Sequence, residues 1–443
     1  MENFNKINIQ LLVVNVLFFF FPLSFILGNL FINLNVVLIC LFSFLFFSQK
    51  INDFKLNFFD KIITLFFVYT LCVLLINFLQ TKFNSEDFSL TIINKTFLFL
   101  RYYILYIALR LLVSQNLLKI NWFFFFCAFF SIFVCIDIYI QFIFGRDIFG
   151  ILPITTMRLS GPFGDELIAG GYIQRFCLFS FFALFILNQK KIINKISIQV
   201  LFFLIFIFGI VLSGNRMPFI LFMFSFFLFF IFESTVRKYF LLISLFFALL
   251  LGSAYYYNKD IRYNVSNFYF NTKWLVEIFI TKKTPLVEGV RYGGKTARAK
   301  YIESETLDNW ERPYVVEFYH FYKTWKERPV LGGGIRSFRV NCYQCNTHPH
   351  NYYFEVLTDL GLLGLILMAI LLFSIFYKVI MIKNIFNLKS YSSQIIPFFI
   401  IFLTEFFPIR TSGSFFSTNN ATFIFIILAL LVSLLEKEGK KLT

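Results

Sequence analysis

Twelve apolar runs of near-membrane length divide this chain, and they limit its fold more than any other feature. They fall at about 9–28, 30–48, 62–80, 93–113, 122–144, 167–188, 197–213, 217–232, 238–257, 351–380, 394–409 and 420–435. A helix needs about 20 apolar residues to cross the hydrocarbon layer. Backbone polar groups in lipid must be satisfied within the segment, so such runs form helices and not open strands. Charged residues make up only 14% of the chain and hydrophobic ones 59%, which excludes a water-soluble globule. The expected fold is therefore an all-α polytopic membrane protein of about twelve transmembrane helices, with no internal repeat. One large interruption, 258–350, separates residues 1–257, holding helices one to nine, from residues 351–443, holding the last three. The 71 phenylalanines fit a codon bias and receive no functional weight.

The net charge of +16 would suggest nucleic acid in a soluble protein. Here the bases lie mainly between the apolar runs, where they orient a membrane protein, so the expected partner is the lipid bilayer and not nucleic acid. With the N-terminus inside, the inner connections hold Lys6, Lys50, Lys55, Lys61, Lys119, Lys190, Lys191, Lys195, Arg237, Lys238, Lys378, Lys383, Lys389, Lys437, Lys440 and Lys441. The outer connections hold only Lys82, Lys95, Arg146, Arg158, Arg216 and Arg410. Sixteen against six predicts cytoplasmic termini and an outer 258–350 segment. The run after Lys6 lacks a small-residue cleavage site and reads as an uncleaved first span.

The outer segment carries fifteen bases and nine acids, with a helix-like stretch at 315–325 that contains His320. A small helical cap on the membrane is expected, suited either to an anionic lipid-linked substrate or simply to solvation beside headgroups. The densest chemistry lies at its end, in Cys342-Tyr343-Gln344-Cys345-Asn346-Thr347-His348-Pro349-His350-Asn351. Pro349 fits the first turn of a helix and Thr347 can cap it, placing His350 in that turn. The positive end of the helix dipole disfavours imidazolium there, leaving His350 able to accept a proton, and the same end attracts phosphate. His348 is the alternative base. Cys342, Cys345, His348 and His350 could also hold tetrahedral zinc, although four ligands within nine residues make a cramped site. On an oxidising face the two cysteines could instead form a disulfide or stay free.

At about 100° per residue, Gly361 and Gly364 fall beneath His350 on one helix face, a smooth groove for a neighbouring helix or lipid chain. Glu355 and Asp359 point elsewhere and suit interhelical hydrogen bonds. The ionisable residues Arg101, Arg110, Asp137 and Arg175 inside apolar runs face a polar interior, where an Arg101–Asp137 pair is one option.

His350-Asn351, nine residues, Gly361, two residues and Gly364 resemble the HNx9GxxG signature of the O-antigen ligase/O-antigen polymerase superfamily. Pro329-Val330-Leu331-Gly332-Gly333-Gly334 resembles its PllGxG segment, and Ser213-Gly214-Asn215-Arg216 its SGxR turn. Arg158-Leu159-Ser160-Gly161-Pro162-Phe163 resembles its Arg-x-x-Gly-x-Phe segment. The four stand in family order over roughly residues 130–365. The resemblance implies a bacterial inner-membrane glycosyltransferase that moves a glycan from undecaprenyl diphosphate to a hydroxyl of lipid A–core at the periplasmic face. It also implies lipopolysaccharide biosynthesis. A polymerase extending the lipid-linked glycan and a protein O-oligosaccharyltransferase are the alternative enzymes. A lipid-linked glycan transporter is the alternative class, for which inverted repeats would be expected.

On this resemblance His350 is the general base. Arg216 grips the diphosphate, and Arg158, Arg298 and Arg312 are candidates for a second guanidinium. Asn351, Gly361, Gly364 and His348 complete the motif, and the scheme requires no metal and no cofactor. Each residue also has a blander reading: His350 as a capping histidine, Arg216 as a turn anchor and His320 as a structural residue.

Overall fold

The computed structural model describes residues 2–51, 54–83, 89–154, 158–188, 195–232, 313–341, 348–382, 394–411 and 413–442, with isolated positions between 249 and 266. The described elements are helical: α1 (Glu2–Phe19), α2 (Phe21–Leu27), α3 (Asn29–Phe47), α4 (Phe58–Phe83), α5 (Leu90–Ser114), α6 (Ile120–Phe144) and α7 (Ala169–Asn188), followed by α8 (Lys195–Leu212) and α9 (Arg216–Phe232). After 258–312 come α10 (Pro313–Glu327), α11 (Ser337–Asn341), α12 (Tyr352–Ile382), α13 (Ile395–Glu405) and α14 (Thr418–Leu442). Eleven of the twelve apolar runs carry helix. Most of the run at 238–257, like most of 258–350, lies outside the described residues.

Among the described residues six helices are long and apolar enough to cross a membrane, and the α1–α2 pair, bent by 46°, makes a seventh. That bend has a local cause. Pro22 sits in the first turn of α2, where it has no N–H to give back to α1.

The core lies around α14. In its most apolar stretch 89% of residues are buried, against 33% for α12, so α14 runs through the bundle while α12 lies at its edge. Lipid tails are as apolar as side chains, so close packing and polar contacts hold such a bundle together. Phenylalanine supplies much of that packing. Phe67 and Phe99 stack at 4.9 Å, and both meet Phe425 of α14 at 5.1 and 5.9 Å. Aromatic pairs add about 0.5–1.5 kcal/mol each beyond their buried area. Part of the phenylalanine content is thus built into the packing of the bundle.

Two buried ionic clusters tie the helices at opposite ends of α14. Near its end, Arg110 of α5 holds Asp60 of α4 by two 2.8 Å bonds and Glu436 by one of 2.7 Å. Near its start, Arg175 of α7 holds Glu405 of α13. The Arg101–Asp137 pair considered from the sequence does not form. Arg101 instead bonds Tyr102 and Thr418, while Asp137 accepts the amide of Ile148 at 2.7 Å, a partner close in sequence that costs less to bring into place.

Candidate active site

The four motif segments meet as two interlocked pairs. The first pair joins residues 158–164 to the turn between α8 and α9. The amide of Leu159 donates to the carbonyl of Leu212 at 3.3 Å, and Asn215 Oδ1 accepts the amide of Gly170 while its Nδ2 donates to Leu167 O, both at 3.0 Å. Gly170 is required here, since a Cβ would stand 2.8 Å from the Asn215 side chain. The backbone thereby brings together the segments that carry Arg158 and Arg216. Arg216 is half-buried and Arg158 exposed. Among the described residues neither guanidinium makes a hydrogen bond or an ion pair.

The second pair joins residues 329–334 to α12, and it corrects the expected groove. Helix α12 is broken at Gly361, which has φ 66° and ψ −169°. The break frees backbone groups on both sides, and the 329–334 segment satisfies them. Leu362 and Leu363 donate to the carbonyls of Pro329 and Val330 at 2.9 and 3.2 Å. Gly333 and Gly334 donate back to Thr358 and Asp359 at 3.0 and 2.8 Å. A Cβ on Gly361 would overlap the Val330 carbonyl, and one on Gly332 would lie 2.5 Å from the Asp359 carbonyl. Gly361 is therefore a backbone-to-backbone contact, and the helical phase that set Gly361 and Gly364 beneath His350 does not run through it. Helix α4 seals the clasp, with Tyr69 donating to Leu360 O at 2.9 Å and Asn77 to Gly332 O at 3.1 Å.

His350 differs from expectation too. It is not in the first turn but one residue ahead of the cap, half-buried, in the left-handed region at φ 50°. Holding a non-glycine residue there costs about 1–3 kcal/mol, which the surroundings must supply. The cap itself is Asn351, whose Oδ1 accepts the amides of Tyr353 at 2.9 Å and Phe354 at 3.3 Å. Its Nδ2 donates to Pro408 O at 2.9 Å, fixing the start of α12 to the turn after α13. His348 lies beside His350, ring centroids 4.3 Å apart.

Behind this segment sits a polar cluster that the sequence offered only in pieces. Arg175 grips Glu405 with two bonds of 2.9 and 3.0 Å and reaches Asn419, Asn420 and the Tyr352 hydroxyl. Arg410 takes the same carboxylate at 2.7 Å and lies over the Tyr352 ring at 5.7 Å. One carboxylate between two guanidiniums leaves a local positive excess beside Tyr352, two residues from His350. Arg175 stood out as a charge in an apolar run, and Glu405 is likewise the lone acid of its own run. Two isolated opposite charges in apolar runs were the available signal.

Asp359 makes the interhelical contact expected of it, whereas Glu355 bonds the turn before α14 and not a neighbouring helix. Glu355 accepts Ser414 Oγ at 2.6 Å and the Phe415 amide at 2.5 Å. Asp359 accepts the Arg336 amide at 2.7 Å and Ser337 Oγ at 2.9 Å, capping α11. Helix α10 covers the stretch expected at 315–325 and packs on α12 through Phe321 and Phe354, stacked at 4.3 Å. Burial and the nearby Lys323 ammonium hold its His320 below the ordinary histidine value. Arg298, Arg312, Cys342 and Cys345 lie outside the described residues.

The clasp at Gly361 and the turn at Asn215 both fall within residues 201–369, which match the family model for O-antigen ligase. Over this stretch, less than half of its length, the chain is similar to the O-antigen ligase family. A match at this level does not separate ligases from polymerases, and what the family implies is a lipid-linked glycan in a membrane setting. With its many apolar helices, the chain is a multi-pass membrane protein. No curated protein matches the chain.

Proposed function

We propose that this protein is a glycosyltransferase of the O-antigen ligase type, moving a glycan from undecaprenyl diphosphate to a hydroxyl of lipid A–core at the periplasmic face of a bacterial inner membrane. One observation carries the reading. Arg175, on the helix that follows the first motif pair, reaches the hydroxyl of Tyr352, two residues after His350 in the second, and this bridge supports a shared site.

In this scheme the acceptor oxygen attacks the anomeric carbon as its proton passes to His350, and the bond from that carbon to the diphosphate breaks. Negative charge gathers on the departing undecaprenyl diphosphate. Arg216 and Arg158, uncommitted to protein partners among the described residues, are suited to receive it, with Arg298 and Arg312 as further candidates. His348 is the reserve base, and no metal or cofactor enters the scheme. The asymmetry of bases supports cytoplasmic termini, about twelve crossings and a periplasmic 258–350 segment between domains 1–257 and 351–443.

The product that disappears on inactivating the protein tests the reading. Loss of all long glycan from lipid A–core, with lipid-linked polymer accumulating, is expected. Loss of polymer with single repeat units still attached would make the chain a polymerase. Retention of lipid-linked glycan on the cytoplasmic side would make it a transporter.

A further inference from the structure

The end of the bundle remote from His350 is also polar. Helix α14 starts beside Arg101 and Arg175, and Glu436 comes eighteen residues after Thr418, about 27 Å along the helix axis. There a cavity of about 770 Å³ opens between the α5–α6 turn, the start of α6, Gln394 and the end of α14. Its floor is apolar, from Ile120 and Leu434, and its wall is charged, from Lys119, Lys437 and Lys440 with Glu436 and Glu438.

The charges are not equally available. Glu436 is already held by Arg110 at 2.7 Å and by Lys440 at 2.8 Å. Lys119 is exposed, and its ammonium makes no hydrogen bond or ion pair among the described residues. The turn that presents it is fixed, because Asn15 donates to Leu117 O at 2.9 Å and accepts the Lys119 amide at 2.8 Å. Helix α6 begins at Ile120 with no side-chain cap, so the positive end of its dipole also faces the cavity. Trp122, in the first turn of α6 and 54% exposed, is the residue type that anchors helices at lipid headgroups.

We propose that this cavity binds the headgroup of an anionic glycerophospholipid. The phosphate would lie between Lys119 and the start of α6, with the acyl chains passing Trp122 into the bilayer. The net positive wall, the apolar floor and the interfacial tryptophan together match a phosphate carried on an apolar tail better than a free anion. By the count of bases this end faces the cytoplasm, where anionic lipid would hold the bundle at the end remote from transfer.

The test uses the full chain in nanodiscs of phosphatidylcholine, with and without phosphatidylglycerol, reading retained lipid by native mass spectrometry and the thermal midpoint. Phosphatidylglycerol should be retained and should raise the midpoint. Lys119→Gln should lower retention about fivefold, the value of one basic residue at an anionic surface, and Lys119→Glu further. Lys55→Glu, a charge reversal at an exposed lysine outside the cavity lining, should leave retention unchanged. Glycerol phosphate added to phosphatidylcholine discs should not reproduce the shift. Equal loss in the Lys55 and Lys119 variants would reduce the effect to diffuse surface charge. No preference for phosphatidylglycerol, or a full shift with glycerol phosphate, would equally overturn the lipid site.

Discussion

Asn351 Nδ2 lies 2.9 Å from the carbonyl oxygen of Pro408, while the other end of the same amide caps α12. One side chain therefore sets both where the helix starts and where the neighbouring turn sits, with His350 held in a left-handed conformation just ahead of it. Asn351→Ala removes both contacts and should destabilise the protein by about 2 kcal/mol, roughly half from the cap and half from the orphaned carbonyl. Asn351→Ser keeps a capping oxygen but is too short to bridge to Pro408, so it should recover about half. Both should lose transfer activity, because His350 is no longer held. Thermal unfolding and in vitro transfer check this. A fully active serine variant would show that the Pro408 tether is dispensable.

Gly361→Ala tests the clasp. The alanine Cβ would overlap the Val330 carbonyl at a positive φ, so the helix break and the 329–334 segment cannot both persist. Folded protein should fall sharply. Gly439→Ala in α14 has open space around its Cβ and should be neutral or stabilising by up to about 1 kcal/mol. Gel-filtration yield of the two variants gives the comparison. Equal yields would mean that α12 can straighten without the clasp.

Substitutions in the buried Arg175–Glu405–Arg410 cluster should be unequal in cost. Glu405→Gln leaves two guanidiniums buried without a carboxylate and should cost about 3–5 kcal/mol. Arg410→Gln leaves the two-bonded Arg175–Glu405 pair intact and should cost clearly less. Thermal midpoints in detergent rank them. A reversed order would mean that Arg410, and not Arg175, is the main counterion of Glu405.

The contrast between these residues also shows what was legible before the fold was seen. The run at 30–48 became α3 and the run at 93–113 became α5, because apolar length is a local property that lipid reads directly. The place of Gly361 was legible but its conformation was not. Helical periodicity assumes an unbroken helix, and the partner that fits the break, the backbone around Val330, lies thirty-one residues away. Lone charges such as Arg175 and Glu405 were visible in their runs, yet their pairing spans 230 residues. The one pair that the runs suggested, Arg101 with Asp137, does not form, because Asp137 accepts the nearby amide of Ile148.

His350 and Arg216 should divide the labour of transfer. If His350 takes the acceptor proton, His350→Ala should reduce the chemical step by roughly 10²–10⁴-fold, the usual value of a positioned base. Donor binding should survive, because the imidazole contributes little to holding the diphosphate. Arg216→Lys keeps the positive charge but loses the planar fork that can hold two phosphate oxygens, so turnover should fall with binding partly retained. Arg216→Ala should lower both. The site geometry makes the separation clean: Arg216 begins α9, at the turn held by Asn215 and Gly170, whereas His350 precedes α12. Single-turnover transfer and donor binding, measured at equal amounts of folded protein, distinguish the two roles. Near-normal transfer by His350→Ala would pass the role of base to His348, whose ring lies 4.3 Å away, and His348→Ala would then have to abolish it.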